Sequence, residues 1–306
     1  SIETINDGEA VRVFTGAPVP EGATRVVIQE DVARPGDIIT LTANADDQVY
    51  IRPIGPDFKT GDNVDAPRRL TPALVALAAS MNLPVLTVAR RPKVAIIATG
   101  NELVMPGEDP APSQIIASNS FALAAIAESE GADARLLPIA RDTRESLEAA
   151  FGLAADADLI VTIGGASVGD YDLVGGVAGD LGLDRAFYKI AMRPGKPLMA
   201  GRLGDTPMLG LPGNPVSSIV CGHICMRPLR RAMQGLPKAP LVTRPGILAE
   251  PIWANGPREH YMRARLDGGA LTVAERQDSA LLTVLAEANA LVVRPPHDPA
   301  LEAGAE

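Results

Sequence analysis

The fold is decided by a stretch that reads Val94-Ala95-Ile96-Ile97-Ala98-Thr99-Gly100-Asn101-Glu102-Leu103. Its first five residues are all apolar, which is typical of a β-strand buried on both faces of a parallel sheet. A polar, glycine-containing loop follows the strand directly. Because helices cover both faces of such sheets, the stretch predicts a domain of the α/β class.

The same order of strand, loop and helix continues on both sides of this stretch. Apolar strands are predicted at 134–139, 159–163 and 207–211, and helices at 118–130, 143–155 and 215–234. Such alternation predicts a doubly wound parallel sheet. We therefore expect an α/β domain over residues 91–237.

The N-terminal region has a different pattern. Short runs of alternating apolar and polar residues predict a β-rich domain over residues 1–50. The runs that predict strands lie at 10–14, 25–29, 38–42 and 49–52. Turn residues, glycine and proline above all, separate these runs.

The remaining regions are a connector and a C-terminal domain. Residues 51–90 are expected to form a linker or arm with one helix, which Thr71 and Pro72 begin as N-cap and first helical residue. Residues 238–306 return to short strands around Gly268-Gly269, a hairpin signal. They predict a small C-terminal β domain.

Charge, hydropathy and cysteine spacing exclude several classes. The net charge of −9 argues against a general nucleic-acid-binding protein, which needs a basic face. No apolar run reaches the roughly 18 residues that span a bilayer, and the first residues do not resemble a signal peptide. We expect a cytoplasmic protein with no membrane or nucleic-acid partner. Cys221 and Cys225 are four residues apart on a predicted helix, a poor geometry for a disulfide, and are expected to be reduced.

Three polar loops follow predicted strands, where open parallel sheets bind their ligands. Glu102 in the first loop is expected to bind a metal or a polar ligand; the alternative is that it caps a turn. The second loop, residues 164–172, has glycines whose amides can approach an anion. It ends with Asp170 and Asp172, and carboxylate oxygens suit Mg²⁺, which often bridges to substrate phosphates.

The third loop and two further groups leave alternatives open. Residues 212–215, Pro-Gly-Asn-Pro, precede a helix whose first N–H groups can bind a phosphate, or they form only a rigid turn. Asp142 can bind a ligand or take part in an N-cap. A basic cluster over 189–196 can bind an anion or form a solvated surface. The three histidines are expected outside the loops.

Several motifs, taken together, resemble the molybdopterin molybdenumtransferase family, which includes the bacterial MoeA proteins and the E domain of gephyrin. They are Val13–Ala23 (Val-Phe-Thr-Gly-Ala-Pro-Val-Pro-Glu-Gly-Ala), Thr99–Leu103 (Thr-Gly-Asn-Glu-Leu), Gly164–Gly169 (Gly-Gly-Ala-Ser-Val-Gly), Met192–Pro197 (Met-Arg-Pro-Gly-Lys-Pro) and Leu211–Ser217 (Leu-Pro-Gly-Asn-Pro-Val-Ser). They stand in the family's order across nearly the whole chain.

The resemblance implies a reaction and a set of site residues. The family inserts molybdate into adenylylated molybdopterin, with Mg²⁺ assistance and release of AMP, to form molybdenum cofactor. Three carboxylates would hold the metal and oxyanion region: Glu102, Asp142 and Asp172. The substrate-binding residues implied are Thr15, Thr99, Gly100, Gly164, Gly165, Ser167, Gly169, Lys189, Arg193, Lys196, Pro212, Gly213, Asn214 and Pro215. The resemblance also implies a homodimer, with the molybdopterin adenylyltransferase and molybdoenzyme apoproteins as further partners.

The resemblance has one main departure and a smaller one at Ser113-Gln114, where the family usually has Gly-Gln, and alternatives remain beside it. Family members carry roughly an extra quarter of a chain before the motif at 15–18, so we expect a fragment or a truncated relative. Two alternatives are a molybdopterin adenylyltransferase, whose single domain resembles residues 92–235, and a non-catalytic molybdopterin-binding module. The sequence leaves molybdate and tungstate open as the oxyanion.

Overall fold

The computed structural model describes residues 4–165, 173–237 and 242–306. The chain divides into two compact units, Ser1–Ala66 and Pro67–Glu306. Three of the predicted site residues, Ser167, Gly169 and Asp172, lie outside the described residues, as does Asp170.

The first unit has little regular structure among its described residues. It contains a 3-10 helix, Gln29–Asp31, and the antiparallel strands β1 (Val32–Ala33) and β2 (Thr40–Leu41). The run at 38–42 therefore includes a strand, whereas the strands predicted at 10–14, 25–29 and 49–52 are wrong. Alternating apolar and polar residues identify a segment with one apolar and one polar face. A β-strand also needs a neighbouring strand that pairs with its backbone N–H and C=O groups. Between the second and fourth runs, one backbone hydrogen bond joins Val26 N to Val49 O, at 3.0 Å.

The second unit begins with the predicted helix. Helix α1 spans Pro72–Ser80, and the Thr71 side chain caps it by accepting a hydrogen bond from Leu74 N at 3.3 Å. In chain order the unit continues with β3 (Lys93–Ala98), β4 (Leu103–Val104), β5 (Ile115–Ile116), α2 (Asn119–Ser129), β6 (Asp133–Leu136), α3 (Arg144–Leu153), β7 (Leu159–Ile163), α4 (Leu173–Asp180), β8 (Leu183–Tyr188), β9 (Met192–Arg193), β10 (Met199–Leu203), β11 (Thr206–Leu211), α5 (Pro215–Cys221), a π-helix (Gly222–Met226), α6 (Arg227–Met233), β12 (Ile247–Leu248), β13 (Glu259–Asp267), β14 (Ala270–Val273), α7 (Leu282–Glu287) and β15 (Ala290–Arg294).

A six-stranded sheet forms the centre of this unit, in the order β6-β3-β7-β11-β10-β8. The strands β6, β3, β7 and β11 are parallel, which confirms the predicted α/β class with a parallel sheet. Strand β10 runs antiparallel to both of its neighbours, so the sheet is mixed at one edge. The sequence did not predict β8 and β10, because most residues of β8 are exposed and its apolar pattern is weak.

The sheet is covered by helices on both faces, as the doubly wound prediction requires. Successive side chains of a strand point to opposite faces, and both sets are buried in β3. Val94 and Ile96 pack in a cluster with residues of α2 and α5, whereas Ala95 and Ile97 pack in a second cluster with residues of α3 and α4. Because the helices cover the two faces of the sheet, the carboxyl ends of its parallel strands remain accessible to a ligand.

A second sheet forms the C-terminal region, in the order β12-β14-β13-β15. The predicted hairpin at Gly268-Gly269 joins β13 to β14, and both glycines have positive φ angles, 54° and 91°. Strand β9 lies between β8 and β10 along the chain but pairs in parallel with β13 of the C-terminal sheet, so that Arg193 lies opposite His260. The segment that contains β9 therefore links the central sheet to the C-terminal sheet.

Candidate functional site

The first two polar loops meet the third at one edge of the central sheet. Thr99 N donates to Ile163 O at 2.9 Å, and Gly164 N donates to Leu211 O at 3.0 Å. These bonds continue the pairing of β3 with β7 and of β7 with β11 beyond the strand ends. A Cβ atom on Gly213 would lie 3.6 Å from Gly164 Cα. The first loop, the third loop and the described start of the second loop are thus brought together as the sequence predicts.

The second loop depends on its two leading glycines. Gly164 and Gly165 have φ angles of +87° and +67°, in the left-handed region that favours glycine. A Cβ on Gly164 would lie 2.8 Å from Thr99 O, and one on Gly165 would lie 2.1 Å from Val174 Cγ2. The backbone of Gly164 and Gly165 can lie this close to Thr99 and to α4 only because glycine has no side chain.

The first loop is held by a guanidinium group. Arg141 Nη1 donates to three carbonyl oxygens, those of Gly100 at 3.3 Å, Asn101 at 3.2 Å and Leu103 at 2.9 Å. The carboxylate of Glu102 folds back over Gly100, where a Cβ would lie 2.5 Å and 2.6 Å from its two oxygens. The backbone of the loop is therefore held in place, whereas the Glu102 side chain is exposed.

Asp142 is fixed from the neighbouring strand end. Its Oδ2 accepts a hydrogen bond from Asn101 N at 3.2 Å, and its own N–H donates to Asn101 Oδ1 at 3.1 Å. The N-cap of α3 is Thr143, whose side chain accepts from Ser146 N at 3.2 Å. Because Thr143 supplies the cap, the Asp142 carboxylate faces the loop of Glu102 instead.

These loops border a pocket of about 1160 Å³. Ten of the predicted site residues line it: Thr99, Gly100, Glu102, Asp142, Gly164, Gly165, Pro212, Gly213, Asn214 and Pro215. No histidine is among the described lining residues, as the sequence predicts. The pocket is therefore formed by the first and third loops together with the beginning of the second.

Several lining residues were missed by the sequence reasoning. They include Ser118, Asn119, Arg144, Leu173, Gly176, Asp180 and Ala280. Asn119, at the start of α2, donates through Nδ2 to Gly213 O at 2.7 Å and so holds the third loop. A position just after a strand could have predicted that Asn119 lies at the pocket, but β5 has only two residues and is difficult to recognise in the sequence. Ala280 shows that the C-terminal region reaches the same pocket.

The C-terminal region is anchored to the third loop through Ser279. Asn214 Nδ2 donates to Ser279 Oγ at 3.1 Å, and Val216 N donates to Ser279 O at 3.0 Å. No pattern in the sequence relates residue 279 to residue 214. The contact is a result of the tertiary fold alone.

The predicted cations lie elsewhere in the second unit. Lys189, Arg193 and Lys196 are exposed and are not among the residues that line the pocket. Arg193 belongs to β9, beside the C-terminal sheet, and Lys189 N donates to Leu198 O at 2.9 Å. Their role in binding an anion stays a prediction. Thr15 belongs to the first unit, and its role stays a prediction as well.

The described wall of the pocket carries three carboxylates, Glu102, Asp142 and Asp180, and one cation, Arg144. Within the described residues, no group of three His, Cys, Asp or Glu side chains is placed to hold a metal ion. Two carboxylates that share a pocket, Glu102 and Asp142, are still a suitable oxygen donor set for Mg²⁺, which commonly uses one or two carboxylates together with substrate phosphates. The third predicted ligand, Asp172, lies outside the described residues.

Three family models match successive parts of the chain. Residues 1–82 match the MoeA N-terminal region (domain I and II), residues 95–232 match a probable molybdopterin binding domain, and residues 245–306 match the MoeA C-terminal region (domain IV). The chain belongs to the molybdopterin molybdenumtransferase (MoeA) family. The resemblance inferred from the motifs is thereby confirmed. Because both flanking regions match MoeA models, a single-domain adenylyltransferase is not favoured.

Individual relatives agree with this assignment. A Mycobacterium tuberculosis protein named molybdopterin molybdenumtransferase 2 is 37% identical over 304 residues, which cover 94% of this chain and 74% of that protein. The molybdopterin molybdenumtransferase of a Nostoc species is 33% identical over 310 residues, covering 95% and 70%. The chain thus spans about three quarters of the length of these MoeA relatives.

Solved MoeA structures share the fold. A crystal structure of the molybdopterin biosynthesis MoeA protein from Pyrococcus horikoshii has a TM-score of 0.81 at 25% identity, covering 99% of this chain and 76% of that one. The α/β centre with flanking N-terminal and C-terminal regions is confirmed. No helix in the described part of this MoeA chain is long and apolar enough to cross a membrane.

Proposed function

We propose that this MoeA chain inserts molybdate into adenylylated molybdopterin, with Mg²⁺ assistance and release of AMP. The observation that carries the proposal is the meeting of the Glu102 and Asp142 loops with Gly164-Gly165 at one large pocket. Carboxylates there suit a divalent cation, and glycine amides suit an oxyanion or phosphate. The names of the relatives support molybdenum insertion as the reaction.

The proposed roles follow from the chemistry of each group. Glu102, Asp142 and Asp172 would hold Mg²⁺, which when bound neutralises charge on the departing phosphate. The cations Lys189, Arg193 and Lys196 would bind the pterin phosphate or molybdate. Pro212 and Pro215 border the pocket and give the third loop a rigid shape.

The proposal extends to assembly and location. We infer a homodimer in which Thr15 contributes to the site, and a cytoplasmic enzyme. It would receive substrate from the molybdopterin adenylyltransferase and deliver cofactor to molybdoenzyme apoproteins. The names of the relatives support the place in the pathway, because they are molybdopterin molybdenumtransferases.

The test is AMP release from adenylylated molybdopterin, measured with and without molybdate and Mg²⁺. We expect release that depends on both, and a fall of about a hundredfold or more in Glu102→Gln and in Asp142→Asn, as for loss of a group that stabilises transition-state charge. Asp109→Asn, in an exposed loop outside the pocket lining, is the matched control and should keep full activity. Tight substrate binding without release by the unaltered chain would instead show a non-catalytic binding module. A folded chain with neither binding nor release would refute the assignment.

A further inference from the structure

A basic loop links the central sheet to the C-terminal sheet. It spans residues 189–196, between β8 and β10, and carries the exposed cations Lys189, Arg193 and Lys196. Two backbone hydrogen bonds close it: Lys189 N donates to Leu198 O at 2.9 Å, and Ile190 N donates to Lys196 O at 3.2 Å. None of its residues is acidic, so the basic loop concentrates positive charge.

The C-terminal sheet holds this basic loop in place. Within the loop, β9 pairs in parallel with the start of β13, which places His260 opposite Arg193. Next to this pair, Glu259 N donates to Ala191 O at 2.9 Å. The position of the Arg193 backbone is therefore set by the first residues of β13.

The charges at this junction work against the pairing. The pKa of His260 is lowered to about 4, first by burial and then by nearby arginines, among them Arg193 and Arg258. Arg193 belongs to the basic loop and Arg258 directly precedes β13, so two like charges lie near the point where the strands pair. Like charges repel. The start of β13 therefore needs a restraint that does not depend on charge.

Asn255 supplies such a restraint. Its Nδ2 donates to three carbonyl oxygens, those of Arg258 at 2.8 Å, Arg294 at 3.1 Å and Pro295 at 2.7 Å. Arg258 directly precedes β13, whereas Arg294 is the last residue of β15. The half-buried amide therefore joins the beginning of β13 to the end of β15. Arg258 in turn donates through Nη1 to the carbonyl oxygen of Met192 in β9, at 3.4 Å.

We propose that Asn255 is a positioning residue for molybdate. It fixes the start of β13, and β13 holds the basic loop so that Arg193 and Lys196 keep the positions in which they bind the oxyanion. Asn255 acts through the backbone of the paired strands and not by contact with a substrate. The inference rests on the proposed function, because it takes these cations as ligands of molybdate.

The C-terminal sheet offers a matched control at the other end of β13. Asn289 accepts from Leu266 N at 2.7 Å and donates through Nδ2 to Leu266 O at 3.0 Å. Asn289 directly precedes β15, so its amide joins the same two strands, but at the end far from β9. Asn255→Ala and Asn289→Ala therefore remove the same kind of restraint from one sheet. Urea unfolding first establishes that both variants are folded.

The first measurement is the rate of AMP release as a function of molybdate concentration. We expect Asn255→Ala to raise the KM for molybdate about tenfold, equal to ~1.4 kcal/mol, which is within the range for a lost hydrogen bond. The kcat at saturating molybdate should be unchanged, since a loss that weakens ground-state and transition-state binding equally raises KM alone. Asn289→Ala should change neither value.

Two further measurements do not need turnover. Calorimetric titration with molybdate alone should give a Kd about tenfold higher in Asn255→Ala and an unchanged Kd in Asn289→Ala. Hydrogen exchange reports the pairing itself, because Glu259 N is bonded to Ala191 O. Exchange at Glu259 N should become faster in Asn255→Ala and stay unchanged in Asn289→Ala.

The outcomes separate this inference from the proposed function. An unchanged KM and Kd for molybdate in a folded Asn255→Ala overturns the positioning role. An equal rise in Asn289→Ala also overturns it, because the effect would then belong to the whole C-terminal sheet. A lower kcat at unchanged KM overturns it as well, because Asn255 would then act on the chemical step.

The case of a chain without turnover is decided by the other two measurements. An unaltered chain that releases no AMP refutes the proposed function. Weaker molybdate binding and faster exchange in Asn255→Ala alone would still support the positioning role in that chain. An unaltered chain that neither releases AMP nor binds molybdate overturns both.

Discussion

Asn101 and Asp142 exchange two hydrogen bonds across the ends of neighbouring parallel strands. Asn101 N donates to Asp142 Oδ2 at 3.2 Å, and Asp142 N donates to Asn101 Oδ1 at 3.1 Å. Each side chain thus holds the backbone of the other residue. The exchange fixes the Asp142 carboxylate beside the loop that carries Glu102.

The first prediction concerns this exchange. Asn101→Ala removes the acceptor for Asp142 N but keeps the backbone N–H that donates to Asp142 Oδ2, so one of the two bonds that position Asp142 is lost. We expect the Mg²⁺ concentration for half-maximal AMP release to rise about tenfold, since loss of an outer-shell partner typically weakens metal binding by ~10–100-fold. A Mg²⁺ titration of initial rates measures the change. Asn63→Ala, at an exposed position of the first unit, serves as the control; equal shifts in both variants would contradict the positioning role.

The second prediction concerns Arg141. All three bonds to the carbonyls of Gly100, Asn101 and Leu103 leave one atom, Nη1. Lysine keeps the charge and has three N–H donors, but its side chain is one bond shorter than that of arginine and its ammonium does not reach the position of Nη1, so Arg141→Lys should lower activity by about tenfold. Arg135→Lys is the control, because Arg135 is held outside the pocket by Leu153 O and Asp156. Full activity in Arg141→Lys would show that positive charge alone holds the loop.

The carboxyl-end site was predictable from sequence because it depends on local order. The loop Thr99-Gly100-Asn101-Glu102 follows the buried strand β3 directly, so it lies at the carboxyl end of that strand. This position does not depend on the sequence of the rest of the chain. Parallel neighbours then bring the loops together. For the same reason β7 was placed at its observed bounds, Leu159–Ile163.

The contacts that the sequence did not predict depend on tertiary packing. Ser279 reaches Asn214 only because the C-terminal region folds back on the central sheet. Strand β9 is two residues long and pairs with β13 more than sixty residues away, so no local pattern marks it. Arg144 was missed because a cation at the start of a helix opposes the helix dipole; Asp180 and Glu148 compensate for it.

The third prediction is a loss of stability in acid through His260. Its side chain is 6% exposed. Its pKa is lowered to about 4, first because burial disfavours the cation and then because arginines lie near it: Arg193, Arg263, Arg258 and Arg294. Its ordinary pKa is 6.5, so the unfolded chain binds a proton before the folded chain does. Stability is therefore unaffected above about pH 6.5, falls as the pH drops from there to about 4, and is then level.

The effect should amount to ~2 kcal/mol at about pH 5, as an order of magnitude, from the difference between the two pKa values. Urea unfolding at about pH 7 and pH 5 measures it. His260→Gln should remove most of the difference between the two pH values, whereas His297→Gln, at an exposed position, should not. An equal acid loss in His260→Gln would assign the effect to other groups.

The fourth prediction concerns the two thiols. Cys221 is fully buried, and burial raises its pKa far above the ordinary range; burial also raises the pKa of Cys225 to about 11. Because the thiolate is the reactive form, both should react slowly with Ellman's reagent at about pH 8 in the folded protein. Both should react completely once guanidinium chloride unfolds the chain. Rapid reaction of either thiol in the folded protein would show that this thiol is accessible to the reagent, which would contradict its burial.

The fifth prediction concerns a buried ion pair between α2 and α6. Arg230 is 2% exposed, and its Nη2 donates to Glu130 Oε2 at 2.6 Å, while Arg227 donates to the other oxygen. Glu130→Gln leaves the buried Arg230 without its counter-charge. We expect the free energy of unfolding to fall by ~3–5 kcal/mol, as when one partner of a buried pair is removed. Glu128→Gln, exposed on the same helix, should change it little.

A double variant separates the pair's own contribution from the penalty of leaving one charge alone. Glu130→Gln with Arg230→Met removes both charges, and replacing a whole buried pair by neutral groups is often neutral or stabilising. We therefore expect the double variant to recover most of the stability that Glu130→Gln loses, measured by urea unfolding. The Arg227 side chain is 41% exposed, so it can be solvated when its carboxylate is lost. If the double variant is as unstable as the single one, the loss comes from packing between α2 and α6 and not from an uncompensated charge.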